Sequence, residues 1–356
     1  MRSAQILLVA MALLGLVSCG SPGAPMPPSL YLPQPVSDLK AARKGDQVSL
    51  TWTVPRETTD KANLKRLGPT RVCRSVGEPV INECPQPIGV LQASQTPVSA
   101  KVAYSDALAR QLQRENPTAF ATYAVETVND RGRSAGLSNQ VRVTVAPTLA
   151  PPADFRAQVT PDGPVLMWTG QLHEHESPDL GHFFRVYRRL EGTETDAVLG
   201  EVRLRNQPAV AMPDRNFEWE KTYLYRLTVV TTVTHGSEVV AEVEGDDSPP
   251  LKVLVHDSFP PAAPTGLQAV FSGLEQQRFI DLTWAPNTES DLAGYNVYRH
   301  VGGAAPGKAN SELVKTPAFR DADVAAGTTS YYAVSAVDLR GNESGRSEEA
   351  HETVPQ

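Results

Sequence analysis

Short stretches in which hydrophobic and polar residues alternate with a period of two return three times along this chain. Val48, Leu50 and Trp52 in VSLTW, Leu166 and Trp168 in VLMW, and Ile280, Leu282 and Trp284 in IDLTW each put apolar side chains on one face of an extended strand. Trp52, Trp168 and Trp284 are spaced 116 residues apart both times, so the chain is periodic. A second strand is predicted after each tryptophan, in RVCRSV around Val72, FFRVYRR around Val186 and YNVYRH around Val297. A later strand carries Tyr123-Ala-Val125, Tyr225-Arg-Leu227 and Tyr332-Ala-Val334, and copies one and two then end in VRVTV and LKVLV. Proline-rich seams at Ala146–Pro152 and Phe259–Pro264 interrupt the pattern. Proline has no amide proton to give to a ladder, so strands stop there.

Length and composition agree with this picture. The 356 residues suit two to four domains of about 100–150 residues, and 30 prolines, 25 glycines and 6% aromatics favour short strands and many turns over long helices. About seven short strands per 100 residues, with a tryptophan in the second and Tyr-x-Val in the sixth, resemble the fibronectin type III domain. The third copy carries the resemblance furthest, in Pro264-Thr265-Gly266-Leu267, DLTW, Gly294-Tyr295-x-Val297-Tyr298-Arg299, GTTSYYAVSAVD and Gly341-Asn342-Glu343-Ser344. The resemblance implies an all-β chain of three tandem immunoglobulin-like sandwiches over 36–147, 150–257 and 261–356. The tyrosine-corner position of that family is filled by Tyr223 in copy two and by Ala121 and Ser330 in copies one and three.

The N-terminus reads differently. Arg2 precedes an apolar run, Ile6–Leu16, that is too short to remain as a membrane helix and fits an export signal over residues 1–18. It ends in Leu16-Val17-Ser18-Cys19, which resembles the lipobox of bacterial lipoproteins. That resemblance implies cleavage before Cys19, covalent lipid on its thiol, and attachment to the membrane by two or three acyl chains, since one chain binds only marginally. Gly20 replaces the aspartate that commonly retains such proteins at the inner membrane, which points to the outer membrane, on its periplasmic or its surface face. Residues 19–35 read as a lipidated, Pro/Gly-rich tether, reaching up to roughly 50 Å at about 3.1 Å per residue.

Charge and candidate chemistry narrow the function. The formal net charge of −7 is interspersed, with no basic stripe, so nucleic acid is not an expected partner. Cys73 and Cys84 are expected to pair in an oxidising compartment, with Cys73 pointing away from the core and Cys84 facing it from the next strand. His173 and His175, with His182 close behind, form the densest set of potential metal ligands, but the HExxH spacing is absent and a solvated loop between the second and third strands of copy two is the favoured account of them, with a metal site the alternative. Asn129-Asp-Arg-Gly-Arg133 reads as a turn using Gly132 at positive φ. Tyr187 with Arg188, and Tyr298 with Arg299, are expected on outward sheet faces as a candidate binding surface. No nucleophile elbow, phosphate loop or carboxylate pair is found, and no cofactor is implied beyond the lipid on Cys19. The expected function is therefore non-enzymatic: an envelope lipoprotein presenting β-sandwich modules to a protein or glycan. A structural subunit of an envelope complex, and a metal-binding or carbohydrate-active protein, are the alternatives.

Overall fold

The computed structural model describes residues 30–77, 81–170, 177–205, 207–273 and 277–356. The chain is all-β, as the alternation requires. In copy one, β1 (Lys40–Lys44), β2 (Gln47–Thr53) and β5 (Lys101–Ala107) form one antiparallel sheet, and β4 (Gly89–Leu91), β3 (Thr70–Val76), β6 (Phe120–Thr127) and β7 (Val141–Thr144) form the other. Strand order in both layers is that of a fibronectin type III-like sandwich. The inner faces are filled by Val48, Leu50, Trp52, Val72, Tyr123 and Val125, the residues that the period-two pattern selects. A one-turn helix, α1 (Arg110–Glu115), crosses from β5 to β6 and buries Gln113, whose amide donates to Asp46 and to the Leu108 carbonyl.

Copy two repeats the layers with β8 (Arg156–Thr160), β9 (Gly163–Gly170) and β12 (Gln207–Pro213) in one sheet. Its other sheet contains β10 (Leu180–Leu190), β11 (Ala197–Arg203), β13 (Lys221–His235) and β15 (Leu251–Val255). Trp168 meets Phe184 and Phe155 edge-on at centroid distances of 5.4 and 6.0 Å. The strand β14 (Glu238–Asp247) has no counterpart in the other copies and forms a hairpin with β13. In copy three, β16 (Gln268–Ser272), β17 (Phe279–Thr283) and β20 (Ala318–Asp321) face β18 (Leu292–Val301), β19 (Gly307–Lys308), β21 (Thr329–Asp338) and β22 (Ala350–Thr353), around Ile280, Leu282, Trp284, Tyr295, Val297, Tyr332 and Val334.

By compactness the chain divides into two units. Unit 1 holds the described part of Met1–Leu149 and Glu176–Gly181 with Val230–Gly245; unit 2 holds the described part of Ala150–His175, His182–Val229 and Asp246–Gln356. The β13–β14 hairpin thus belongs by sequence to copy two and by contact to unit 1. Its origin is an insertion. In every copy a serine hydroxyl accepts a backbone amide of β6, β13 or β21: Val125 N donates to Ser138, Leu227 N to Ser248 and Val334 N to Ser347, across 13, 21 and 13 residues. The extra residues of copy two form the hairpin tip.

Two sequence expectations are corrected here. Leu30–Pro35, read as the end of the tether, lie along copy one: Pro33 bridges Thr58, Gln34 N donates to the Glu57 carbonyl and Asn129 Nδ2 to the Leu30 carbonyl. Backbone groups of Leu30, Leu32 and Gln34 thus find partners on the sandwich. Cys84 is not on a strand but in the irregular segment before β4. There it is bonded to Cys73 with Cα atoms 5.6 Å apart, beside Ile81, Ala124 and Leu137.

Candidate functional site

The most chemically suggestive arrangement recurs in all three copies. Arg74 donates to Asp106 at 2.7 Å, and Tyr123 Oη donates to the same Oδ2 at 2.7 Å. Arg188 donates to both oxygens of Asp214 at 2.9 Å, with Tyr225 Oη at 2.8 Å. Arg299 reaches Asp321 at 2.8 and 3.1 Å, with Tyr332 Oη at 2.8 Å. The carboxylates lie at 0–11% side-chain exposure, where an unpaired charge would be costly. Burial, then the bond to the aspartate, holds all three phenols above the ordinary tyrosine range. The aspartates lie on β5, just after β12 and on β20, and their arginine and tyrosine partners lie on β3 and β6, β10 and β13, and β18 and β21 of the opposite sheets. The cluster therefore staples the two layers of each sandwich, and its threefold recurrence identifies it as part of the fold.

This arrangement corrects the outward placement of Arg188 and Arg299. Adjacent strand residues point to opposite faces, so an outward tyrosine obliges the following arginine to turn towards the sandwich. Arg188 also donates to the Asn216 carbonyl and Arg299 to that of Asp323. The signal available in the sequence was the parity of the strand, together with an aspartate eleven residues before the buried tyrosines of β13 and β21 in copies two and three.

Tyr187 and Tyr298 do lie on the outer faces, but the two faces differ. In copy two the Arg226 guanidinium covers the Tyr187 ring at 3.6 Å and is itself held by Asp196 and Asp247. In copy three Arg346 sits 4.0 Å over Tyr298, and the phenol donates to Glu343 Oε1, which also receives Asn296 and Ser335. Burial alone would raise the Glu343 pKa, yet the hydrogen bonds from Ser335, Tyr298 and Asn296 outweigh it and hold the pKa below the ordinary carboxylate value. Across the same sheet His300 stacks on Tyr331 at 4.9 Å with the planes 10° apart, and Tyr331 meets His351 at 5.4 Å. Register places them, since His300 pairs with Tyr331 and Tyr331 with His351. Glu349 bonds His300 Nε2 at 3.2 Å. Four rings thus share one outward face, of which the sequence reading had named only Tyr298. Alternation on β18, β21 and β22, read together, would have given the other three.

His182 is buried within β10, while His173 and His175 lie outside the described residues. A different set of potential ligands is brought together within unit 2: Asp257 from the linker, Asp291 from the turn before β18 and Asp338 from the end of β21 each offer a carboxylate oxygen, all within 4.8 Å of one another. Asp338 is already used by the backbone amides of Arg340 and Asn342 and by the Asn342 side chain. The same turn appears at Asn129, whose Oδ1 accepts from Arg131 and Arg133, and Gly132 there has φ +73°, as the sequence predicts. In copy two the Tyr223 hydroxyl accepts the Glu218 amide at 3.0 Å, forming the tyrosine corner; Ala121 and Ser330 are buried at the corresponding positions.

No family model matches the sequence, and no curated protein matches it. Among solved structures, the FN1–FN3 domains of chicken CNTN1 align with 13% identity over 91% of this chain and 100% of that one, at a TM-score of 0.28. A Fn3-like protein from Clostridium thermocellum aligns with 33% identity over 28% of this chain and 97% of that one, at a TM-score of 0.24.

Proposed function

We propose that this chain is a non-enzymatic bacterial envelope lipoprotein, held at the outer membrane by lipid on Cys19, that presents its sandwiches to a protein or glycan partner. The observation that carries the binding part is the row of Tyr298, His300, Tyr331 and His351 on the outer face of copy three. Ring faces and edges offered in a row, with hydrogen-bonding groups beside them, suit the C–H faces of a sugar or the apolar side chains of a protein surface. The arginines, aspartates and tyrosines that look most like catalytic groups are occupied in the repeated staples, which supports a reading without catalysis. The Leu16–Cys19 motif after the apolar run supports the anchor.

A photo-crosslinking residue at position 331 in intact cells tests the proposal, with the same residue at the exposed Leu254 of copy two as the control. The expected result is a discrete adduct from position 331 that falls roughly tenfold when Tyr298 and His351 are both replaced by alanine, the loss of more than one ring contact. Equal capture from both positions, or none from 331, would remove the binding surface. A single stoichiometric protein adduct would make the chain an assembly subunit, and a heterogeneous ladder would make the partner a glycan.

A further inference from the structure

A second surface lies where the described chain begins. Leu30, Tyr31, Leu64, Lys65, Arg66, Asn129, Asp130 and Arg131 line a concavity of about 320 Å³ in copy one. Leu30 and Tyr31 are 53% and 56% exposed, and Lys65, Arg66 and Arg131 are exposed as well. Asp130 is the one carboxylate in the lining, and Lys61 and Arg133 add exposed cations close by in sequence. Arg56 and Glu57 pair with each other. The site is held in place by the Asn129 turn, whose side chain both bonds the Leu30 carbonyl and accepts the Arg131 amide.

We infer that this pole of copy one rests on the phosphate-bearing head groups of the membrane that carries the anchor. Three observations commit it to that occupant. The chain as a whole carries −7, so an anionic surface repels it, and only a locally cationic pole can approach. Leu30 and Tyr31 add an aliphatic side chain and an amphipathic ring of the kind that settles at head-group depth. The eleven residue steps from Cys19 to Leu30 span at most about 40 Å, so a lipid on Cys19 keeps the pole near the bilayer at a high effective concentration, and a weak contact suffices. The inference rests on the anchored reading above and adds to it an orientation: copy one faces lipid.

The test uses the chain from Gly20 onward, which keeps every described residue and has no lipid. Its sedimentation with vesicles of phosphatidylcholine alone is compared with that on vesicles containing phosphatidylglycerol. The expected result is weak binding to the phosphatidylglycerol vesicles only, weakened by salt. Neutralising the three cations is expected to lose binding by on the order of a hundredfold, at about fivefold per cation near an anionic surface, and the variant Lys65→Glu/Arg66→Glu/Arg131→Glu, which also adds three repelling charges, loses more. Lys65→Gln/Arg66→Gln/Arg131→Gln gives the same reading if the reversed charges disturb folding. Absence of binding to the anionic vesicles, or equal binding by wild type and both variants, overturns the inference. Because this chain lacks Cys19, that failure is distinct from a failure of the anchor, which membrane fractionation of Cys19→Ala reads separately.

Discussion

The hairpin that copy two lends to unit 1 and the linker between copies two and three inside unit 2 are made of different materials. In unit 1, Val233 and Val243 from the hairpin are buried with Ala146, against Leu180 and Ala241. The backbone adds a parallel bridge from Lys44 to Glu244, the Gly45 amide on the Glu244 carbonyl at 2.8 Å, and the Thr231 hydroxyl on the Pro147 carbonyl at 3.0 Å. In unit 2 the linker is held by polar groups. Glu220 accepts from His256 and from the Asp257 amide, and Asn342 Nδ2 donates to the Asp257 carbonyl at 3.1 Å. Trp219 beside Phe259, at 6.3 Å, is the aromatic contact at this linker. The hairpin joint rests mainly on apolar burial and a backbone bridge, with one ion pair, Lys44 to Glu244 at 3.2 Å, whereas the linker is built on carboxylates and responds more strongly to protonation. Tandem copies of one fold therefore need not be joined alike.

The sharpest way to break this contrast is to place a charge in the hairpin joint. Val243→Asp puts an unpaired carboxylate at a buried position, and the expected cost is about 3 kcal/mol or more. Hydrogen exchange should rise across β1 and β2 and stay unchanged across β17 and β21. Unchanged β1 would mean that the hairpin does not support copy one. Next in size, replacing Cys73 and Cys84 by serine should cost copy one about 3 kcal/mol, the entropy of a closed loop of this length, as read in urea unfolding of oxidised and reduced protein. Tyr123→Phe and Tyr332→Phe should each cost about 1 kcal/mol, one net hydrogen bond. Equal effects would show that the sandwiches are alike and that only their joints differ.

Acidification should act chiefly on the second joint, and with a smaller effect. Glu220 is held below the ordinary carboxylate pKa by the His256 hydrogen bond and then by the Asp257 amide. In Asp338 burial works the other way, but the bonds from Asn342 and the backbone outweigh it, and its pKa is also lowered. A folded-state pKa below the unfolded one contributes stability above the unfolded value, near 4, and that contribution is lost as pH falls through the folded value. Hydrogen exchange at the Asp257 linker should therefore increase as pH falls below about 4, before any increase in the hairpin.

Much of this organisation was legible in the sequence because sandwich cores select one face of each strand. Val48, Leu50 and Trp52, and their counterparts in the other copies, are buried where period-two alternation places them. The Cys73–Cys84 bond was expected from two cysteines behind a stretch that reads as an export signal. The outward arginines failed on strand parity. The hairpin was hidden because Thr231 to Gly245 alternate like any exposed hairpin, and nothing local states that Glu244 will meet Lys44. The rings of copy three were missed because His300, Tyr331 and His351 come from three separate strands and become neighbours only through register. Asp257, Asp291 and Asp338 were missed for the same reason, being gathered from the linker and two distant parts of copy three.

The proposed anchor at Cys19 underlies both the proposed function and the inferred orientation of copy one, and the mass of the mature N-terminal peptide isolated from cell membranes tests it most directly. The account predicts a peptide that begins at Cys19 and carries a diacylglyceryl thioether with a further acyl chain. A mature chain that begins elsewhere, or an unmodified Cys19 thiol, would contradict it.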